Sequence, residues 1–428
     1  MPPGPADKCD LHTTEESFYR VANLLQDYGD VTCLHSAIRQ SSSYLVNHPD
    51  HVKHILVNNH QNYNKGPGFE RVKMLLGNGI IVSDGVFWRR QRRMIQPGFN
   101  RQIIARMMDD VKACNLRLLD RWLEKAKDSA VIDITEEMSE LSLEIILRVL
   151  LAGDYDRILE EHGENPFSIL TQDPSRDMKL VLKFRALSGI IQDTINRRRE
   201  HPTDSEDFLS SFMAAEDKDT GEPMTDKELI DEVMTLIVAG HETSAGTLNW
   251  AWYLLTQNPV EMQKLVEEID AVGFENIPEF EQLESLPYAK QILDETLRMY
   301  PPVWLFTRKA IHDDKIGDYD IPAGTDIFIT PYYLHRHPDF WDAPEAFRPE
   351  RFTEEAIKAR HKFVHIPFSA GPRRCIGDYF AMVEMQMHLA MVVKKISLEL
   401  VAPQTLELAP DVNLRSKQPF EMRLSLRQ

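Results

Sequence analysis

Residues 368–377 read FSAGPRRCIG and place one cysteine, Cys375, in a loop punctuated by glycine. A helical pattern follows directly, from Phe380 to Val393. Glycine permits unusual backbone angles and lets a flat ligand approach the main chain, while the start of a helix favours a thiolate over a thiol. A lone cysteine is more often a small buried core residue. This setting instead predicts a metal-binding thiolate at Cys375.

The length and composition of the chain predict a folded protein built as one domain. It has 428 residues, of which 43% are hydrophobic and 27% charged, so a substantial core is expected. A usual domain has about 100–200 residues, which leaves two domains or one large fold. No repeat, low-complexity tract or Gly/Ser-rich linker interrupts the sequence. We therefore expect a single domain over residues 1–428.

The charge and the cysteines indicate the cellular setting. A formal net charge of −18 argues against nucleic acid and anionic lipid as partners, because both attract basic surfaces. No stretch reaches the roughly 18 apolar residues of a membrane span, and the N-terminal sequence MPPGPADKCD lacks the features of a signal peptide. Scattered cysteines, at positions 9, 33, 114 and 375, are typical of a reducing compartment. We expect a monomeric cytoplasmic protein without a membrane span.

Hydrophobic spacing predicts a mainly α-helical fold with small β-sheets. Apolar residues recur at helical intervals over residues 101–152 and 178–200. A capping box, Thr225-Asp-Lys-Glu228, precedes the most apolar helix, which should cross the core and run to about Gln257. Short β-rich runs occur at residues 31–34, 43–46, 326–329 and from about 420 onward.

A small group of polar residues interrupts this central helix. Ala239-Gly240-His241-Glu242-Thr243 sets small residues, an acid and an alcohol in an otherwise apolar run. Glycine inside a helix costs about 0.5–1 kcal/mol relative to alanine, and threonine can turn its hydroxyl toward the preceding turn. The helix could open there and admit a diatomic ligand and water. In isolation, the same residues could form a kinked structural helix with a capped glutamate.

Two further patterns of charged residues are weak indicators of function when each is taken alone. Glu295-Thr-Leu-Arg298 places an acid and a base one helical turn apart, usually a surface pair worth about 1 kcal/mol at most. Trp88 and Arg92 have a spacing that puts both on one helix face. Their basic neighbours form either a solvated helix face or a docking patch for an acidic partner; these are Arg89, Arg90 and Arg93.

Together these motifs resemble those of the cytochrome P450 family. Residues 368–377 match its haem-binding pattern F-x-x-G-x-R-x-C-x-G at every fixed position, and residues 239–243 match its oxygen-activation segment. The resemblance runs from Trp88 to Ala381 and covers nearly the whole chain. It implies a mainly α cytochrome P450 fold, with haem b between the central helix and the helix after the cysteine loop. A small β-rich lobe should be formed by the N-terminal, 310–330 and C-terminal segments.

The resemblance also implies roles for individual residues. Cys375 is the axial ligand of the iron, and its thiolate favours O–O cleavage. Glu242 relays protons, while Thr243 supplies the alcohol of the oxygen-activation groove. The implied haem contacts are Trp88, Arg92, Ala239, Gly240, Arg308, Phe368, Arg373, Cys375 and Gly377. Of these, Arg373, Arg92, Trp88 and Arg308 face the propionates, for which basic groups provide charge-assisted hydrogen bonds. Glu295, Arg298 and Arg351 form a buried structural cluster, and His241, His335 and His365 receive no role at the iron.

The implied function is that of a monooxygenase that inserts one atom of O₂ into a hydrophobic substrate by hydroxylation or epoxidation. No flavin or iron–sulfur domain is recognisable in the chain, so NAD(P)H-derived electrons should arrive through a ferredoxin and its reductase. The alternatives are a thiolate-haem peroxygenase or isomerase and a haem-based gas or redox sensor. Glu242 and Thr243 count against them, because these residues serve oxygen activation.

The region expected over the distal face of the haem is largely apolar. Its predicted pocket residues are Ile80, Ile81, Val303, Trp304, Phe306 and Leu414. A terpenoid, a fatty acyl chain and a polyketide all suit such a lining. The charged stretch 154–178, which contains Pro166 and Pro174, predicts a mobile lid beside this region.

Overall fold

The fold was obtained as a computed structural model that describes residues 1–39, 41–172, 178–275, 277–402 and 405–427, with backbone only at 172 and 178–180. Helices dominate it, as predicted. They are α1 Glu15–Tyr28, α2 Pro49–Lys53, α3 Phe69–Leu76, α4 Gly85–Ile95, α5 Arg101–Lys127, α6 Ile134–Leu151, α7 Gly153–His162, α8 Ile169–Gln172, α9 Met178–Glu200, α10 Phe208–Met213, α11 Asp226–Gln257, α12 Pro259–Val272, α13 Pro287–Met299, α14 Pro331–Leu334, α15 Glu354–Ala359 and α16 Asp378–Lys395. None of these described helices is long and apolar enough to cross a bilayer.

The strands are short and lie mostly near the two ends of the chain. They are β1 Val31–His35, β2 Ser42–Val46, β3 Tyr63–Lys65, β4 Val131–Asp133, β5 Phe306–Ala310, β6 Asp314–Ile316, β7 Tyr319–Ile321, β8 Asp326–Ile329, β9 Ile396–Leu400, β10 Leu408–Pro410, β11 Leu414–Ser416 and β12 Glu421–Leu426. The largest described sheet has the order β1-β2-β8-β5-β3, in which only β2 and β8 are parallel. The first three predicted β-rich runs lie within β1, β2 and β8, and the fourth, from about residue 420 onward, contains β12.

The C-terminal strands do not join the five-stranded sheet, although the predicted lobe included them. β12 pairs instead with β4 and β9 in a separate three-stranded sheet, and β10 pairs with β11. The main-chain groups of β12 are therefore satisfied on both sides by other strands. The N-terminal strands and β5 and β8 form the large sheet without it.

The central helix α11 begins and ends where the sequence predicted. The Thr225 side chain accepts a hydrogen bond from the Glu228 backbone N–H, and the Glu228 carboxylate accepts one from the Thr225 N–H in return. α11 is buried along most of its length and packs closely on α6. A Cβ atom on Gly240 would lie 2.9 Å from the Ile146 side chain. Glycine thus allows α6 to approach the polar segment of α11.

Two predicted segments differ from the structure. Residues 101–152 form two helices, because β4 intervenes to pair with β12 and the Asp133 side chain then caps α6 by accepting from the Thr135 N–H. The predicted lid at 154–178 contains α7, which buries Tyr155 and Ile158 and so is anchored to the core. Pro166 begins a short 3₁₀ turn, and Pro174 lies outside the described residues.

A buried polar chain ties three helices of the core together. Trp252 of α11 donates its indole N–H to His388 Nε2 of α16 (3.0 Å), and His388 Nδ1 donates to Asn115 Oδ1 of α5 (2.8 Å). Burial lowers the pKa of His388 to about 3, so the ring is neutral and carries one proton, on Nδ1. This arrangement fixes α16, the helix that follows the cysteine loop, against α11.

Candidate active site

The cysteine loop owes its shape to local hydrogen bonds and one glycine. The Cys375 N–H donates to Phe368 O (2.9 Å), and the Arg374 N–H donates to Gly371 O (3.0 Å). Gly371 has a φ of 70°, and a Cβ there would lie 1.9 Å from Leu56 O. A side chain at this position would therefore meet backbone. The loop presents Cys375 directly before α16, as the sequence predicted.

Cys375 differs from the other three cysteines in its surroundings. Its side chain is exposed, whereas Cys9, Cys33 and Cys114 are buried. Protein nevertheless encloses the sulfur on its other sides, and this desolvation raises the pKa of the Cys375 thiol to about 11 despite a hydrogen bond from the Gly377 N–H. The predicted advantage of the helix start for a thiolate is thus outweighed by burial. A coordinated metal ion would displace the proton outright.

A cluster of three cations, the buried Arg308 and the partly buried Lys65 and Arg373, lies at this loop. Arg373 donates to Ser83 O (3.0 Å) and to the Asp84 carboxylate, and its guanidinium lies 4.2 Å from the centre of the Trp88 ring. Arg308 is 4% exposed and pairs in register with Lys65 across β3 and β5. Among the described charges that act on Lys65 and Arg308, Asp84 is the only carboxylate.

Protein carboxylates balance the charges of this cluster only in part, because Asp84 pairs with Arg373 and is the one described carboxylate among the charges that act on Lys65 and Arg308. Burial, followed by the charges of Arg308 and Arg373, holds the pKa of Lys65 well below its usual value. Burial and the charge of Arg373 lower the pKa of Arg308 to about 10. Buried cations normally require paired anions. The cluster is therefore suited to bind an anionic group, and Lys65 and Asp84 are members that the sequence motifs did not reveal.

Arg92 lies between α4 and the cysteine loop. It donates to Arg374 O (2.9 Å) and to Gln96 Oε1 (3.1 Å), and burial lowers its pKa. Arg90 forms ion pairs with Glu228 and Asp217, and Arg93 forms ion pairs with Asp217 and Asp219. Because these two arginines are already neutralised, the docking-patch interpretation loses two of its three basic side chains.

The polar segment of α11 has the predicted threonine geometry. Thr243 Oγ1 donates to Ala239 O (2.7 Å), the back-bond expected of a threonine in a helix. The Glu242 carboxylate accepts a hydrogen bond from the Asn413 side-chain amide. His241 is buried, and its burial lowers its pKa, so it is a neutral core residue here. Asn413 comes from the turn between β10 and β11, and no sequence motif indicated it.

A second carboxyl group lies immediately beyond Thr243. The Ser244 hydroxyl donates to Glu384 of α16, a residue that is buried among the apolar side chains of that helix. Desolvation raises the pKa of Glu384 to about 8. At neutral pH this side chain is mostly protonated and connects the helix after the cysteine loop to the oxygen-activation segment.

Glu384 should make the stability of the protein depend on pH. Its folded-state pKa lies above the unfolded value, so its contribution to the free energy of unfolding is fully present below about pH 4.5. That contribution is lost as pH rises toward 8, because the unfolded state ionises first. Glu384→Gln removes this loss. We expect the variant to gain stability over wild type between pH 5 and 8, on the order of 4 kcal/mol in total, in chemical unfolding. The exposed Glu399→Gln should show no such trend, and parallel pH profiles for all three proteins would contradict the assignment.

The predicted Glu295–Arg298–Arg351 cluster is confirmed. Glu295 and Arg298 are fully buried and joined by two hydrogen bonds, of 2.7 and 2.9 Å. Arg351 Nε lies 3.4 Å from the same carboxylate. Arg298 also donates to His335 O (3.1 Å), and His335 Nε2 accepts from the Ile366 N–H (2.9 Å), two residues before the cysteine loop. The cluster thereby supports that loop.

The predicted pocket residues fall into two groups. Trp304 and Leu414 are almost fully buried by protein; the Trp304 indole N–H donates to Asp411 O (2.8 Å) and its ring packs against Phe18. Neither offers free surface to a ligand. Ile81, Val303 and Phe306 are partly exposed, and Ile80 is 8% exposed. The Ile80 N–H donates to the buried Glu232 of α11 (2.9 Å), a partner that the sequence did not indicate.

The family model described as Cytochrome P450 matches residues 9–164 and 164–421. The chain belongs to the cytochrome P450 family. Several relatives are at least 30% identical over most of both chains. Cyclooctatin synthase of Streptomyces melanosporofaciens is 33% identical and aligns with 82% of this chain and 79% of its own. LUTEIN DEFICIENT 5 of Arabidopsis thaliana is 30% identical, with 91% and 70% covered.

Other relatives and one solved structure agree with this assignment. Pentalenene oxygenase of Streptomyces avermitilis is 31% identical, with 87% of this chain and 84% of that protein covered. The crystal structure of the cytochrome P450DA heme domain superposes with a TM-score of 0.87 at 23% identity, covering 96% and 92% of the two chains. The cytochrome P450 fold predicted from the motifs is confirmed. The protein is a haem-thiolate cytochrome P450 monooxygenase.

The residues of this cytochrome P450 fit the haem that its family implies. A haem carries two propionate carboxylates, and the cluster of Lys65, Arg308 and Arg373 has an excess of cations over described protein carboxylates. Cys375 supplies a sulfur that is exposed on one side and lies close enough to Arg92 for their charges to interact. The donor set therefore matches both the iron and the anionic edge of the cofactor.

Proposed function

We propose that this cytochrome P450 binds haem b through Cys375 and oxidises an isoprenoid hydrocarbon or alcohol. The overall reaction is RH + O₂ + 2 e⁻ + 2 H⁺ → ROH + H₂O, in which one oxygen atom enters the substrate and the other leaves as water. The bound haem supplies dioxygen binding and two-electron activation. The observation that carries the proposal is the loop that presents the exposed Cys375 beside a cationic cluster.

The other proposed haem contacts follow from their places around this loop. Arg373, Arg308 and Lys65 would hold the propionates. The Trp88 ring supports Arg373, because the guanidinium lies over the face of that ring. Arg92 would hold the loop backbone through Arg374 O. On α11, Ala239 has a small side chain and would leave room for the haem, whereas a Cβ on Gly240 would meet Ile146 of α6. Phe368 and Gly377 flank Cys375. Phe368 O accepts a hydrogen bond from the Cys375 N–H, and the Gly377 N–H donates one to the Cys375 thiol.

Glu242 and Thr243 would manage the protons that the reaction consumes. Thr243 already holds its hydroxyl proton on Ala239 O, so its oxygen can accept a hydrogen bond from bound ligand or water. Glu242 is half-buried and can exchange protons with solvent on one side. We expect Thr243→Ala to lower product formed per NAD(P)H consumed by about 10²-fold, measured as product against reductant oxidised. Thr247→Ala, one turn further along α11, is the matched control and should behave as wild type. An unchanged ratio of product to NAD(P)H consumed in Thr243→Ala would contradict the role of Thr243.

The isoprenoid substrate class is supported by the names of the relatives. They include pentalenene oxygenase, carotene epsilon-monooxygenase and cyclooctat-9-en-7-ol 5-monooxygenase. The partly exposed candidates for the pocket lining are the apolar Ile81, Val303 and Phe306. A fatty acyl chain or a polyketide would suit the same lining. Titration of the ferric protein with pentalenene, carotene and palmitate, followed by the spin-state change in the Soret region, separates these classes.

Electrons would come from a ferredoxin and its reductase, as three of the relatives are bacterial proteins. Product formation should require NAD(P)H, both redox proteins and O₂ together. Product formed with hydrogen peroxide alone would indicate a peroxygenase, and haem reduction without any product would indicate a sensor. We further propose a cytoplasmic monomer, which cell fractionation and light scattering would test.

Lys65 gives a test of the propionate assignment that does not depend on activity. Lys65→Met removes one cation, so haem should transfer to excess apomyoglobin about 10- to 100-fold faster, from a loss of about 1.5–3 kcal/mol. Without haem the same variant should unfold at a higher temperature, because the uncompensated cation is gone. Lys309→Met is the control, because Lys309 follows Arg308 in β5 and is exposed. Equal haem loss in both variants would contradict the assignment.

A further inference from the structure

The turn that carries Asn413 is fixed independently of Glu242. Its backbone accepts hydrogen bonds from two buried indoles, with Trp304 Nε1 donating to Asp411 O (2.8 Å) and Trp250 Nε1 donating to Leu414 O (3.1 Å). The Leu414 N–H donates to Pro302 O (2.8 Å). Trp250 belongs to α11 itself, two turns beyond the oxygen-activation segment. These three hydrogen bonds therefore anchor the turn to the core.

From this turn the Asn413 side chain reaches back to α11. Asn413 is 8% exposed, and its amide Nδ2 donates to Glu242 Oε2. Among the described residues, no other protein donor takes the second oxygen, Oε1. A carboxylate on a helix can adopt several rotamers. A donor on a fixed turn removes that freedom for one oxygen and leaves the other available.

We propose that Asn413 is a positioning residue for Glu242. It holds the carboxylate in one orientation, so that the free oxygen stays beside Thr243 and can pass a proton toward the substrate side of α11. The inference rests on the proposed function of Glu242 as the proton-relaying acid. An amide suits the task because it donates a hydrogen bond without adding a charge that would compete with the carboxylate for protons. The substrate does not touch Asn413 in this account.

A purely structural tie between the turn and α11 makes a different prediction. If Glu242 served to hold the turn, its removal would loosen residues 408–416. If the turn serves to hold Glu242, the three backbone anchors keep it in place without the carboxylate. Hydrogen exchange of the haem-loaded protein, read by mass spectrometry on peptides from 408–416, distinguishes the two cases. We expect exchange in Glu242→Ala to stay within about twofold of wild type, and clearly faster exchange would overturn the proposal.

The effect on chemistry is tested with variants that differ in the amide donor. Asn413→Leu and Asn413→Asp lack it, while Asn413→Gln retains it on a longer side chain. We expect the first two to lower product per NAD(P)H consumed about tenfold and to raise the solvent isotope effect on turnover. Substrate affinity, from the spin-state titration, should change less than twofold. Asn413→Gln should recover part of the loss, and Val412→Ala, exposed in the same turn, should match wild type.

A double-mutant cycle completes the test. In a Glu242→Gln background, Asn413→Leu should cause no further loss of coupling, because there is no acid left to position. Fully additive losses would overturn the proposal. If Glu242→Gln lowers coupling but Asn413→Leu and Asn413→Asp do not, the inference about Asn413 fails while the proposed function of Glu242 stands. If Glu242→Gln itself behaves as wild type, both fail.

Discussion

Cys375→Ala is expected to abolish oxygenation of any substrate that the wild-type protein oxidises. The variant loses the sulfur that would coordinate iron and donate electron density for O–O cleavage. The cationic cluster at Lys65, Arg308 and Arg373 is left intact, so some haem should still bind. Product formation with NAD(P)H, reductase and ferredoxin should fall to the background seen without enzyme.

Cys33→Ala is the matched control for this variant. Cys33 is buried in β1, and its thiol has no proposed role. It should retain wild-type turnover after correction for haem content. Oxygenation that survived in Cys375→Ala, or that was lost equally in Cys33→Ala, would contradict the assignment of the ligand.

Glu295→Ala is expected to destabilise the fold by about 3–5 kcal/mol. The substitution leaves the fully buried Arg298 guanidinium without its carboxylate partner. That loss is a large part of the 5–15 kcal/mol that usually stabilises a protein. Chemical unfolding of the haem-loaded protein would measure it.

Glu295→Gln keeps the shape and some of the hydrogen bonds to Arg298, so its loss should be smaller and the protein should still fold. Glu354→Ala, which breaks an exposed ion pair with Lys358, should change stability little. A Glu295→Ala protein as stable as Glu354→Ala would show that the buried pair does not hold the cysteine loop in place.

The parts of the site that the sequence predicted are local in the chain. The capping box of α11 lies within four residues, and the Thr243 back-bond spans one turn. The cysteine loop is closed by a bond from Cys375 to Phe368, seven positions away. Short-range hydrogen bonding and helical spacing determine such features, so a sequence motif is enough to locate them.

The parts that the sequence did not predict depend on long-range pairing. Lys65 reaches Arg308 only through the register of β3 against β5, and Asn413 lies 171 positions from Glu242. Nothing in the local sequence distinguishes Glu384 from other acidic residues on helices, because its partner Ser244 lies on α11. β4 interrupts a helical pattern by pairing with β12. This partner lies near the C-terminus, so the local sequence around β4 does not reveal the pairing. None of these residues carries a local signal.

Trp304 illustrates the reverse case. Its place in the apolar region expected over the distal face of the haem predicted a pocket residue, but an indole N–H also needs an acceptor when it is buried. Asp411 O provides one, and Phe18 of α1 covers the ring. The hydrogen bond therefore turns Trp304 into a support for the turn that carries Asn413.

We propose above all that the Cys375 thiolate coordinates the iron of a bound haem. The most direct measurement is the absorption spectrum of the reduced, haem-loaded protein under carbon monoxide. Coordination by Cys375 predicts a Soret band at the long-wavelength position characteristic of thiolate-ligated haem, present in wild type and absent in Cys375→Ala. A wild-type spectrum without that band, or a Cys375→Ala spectrum that retained it, would contradict the claim.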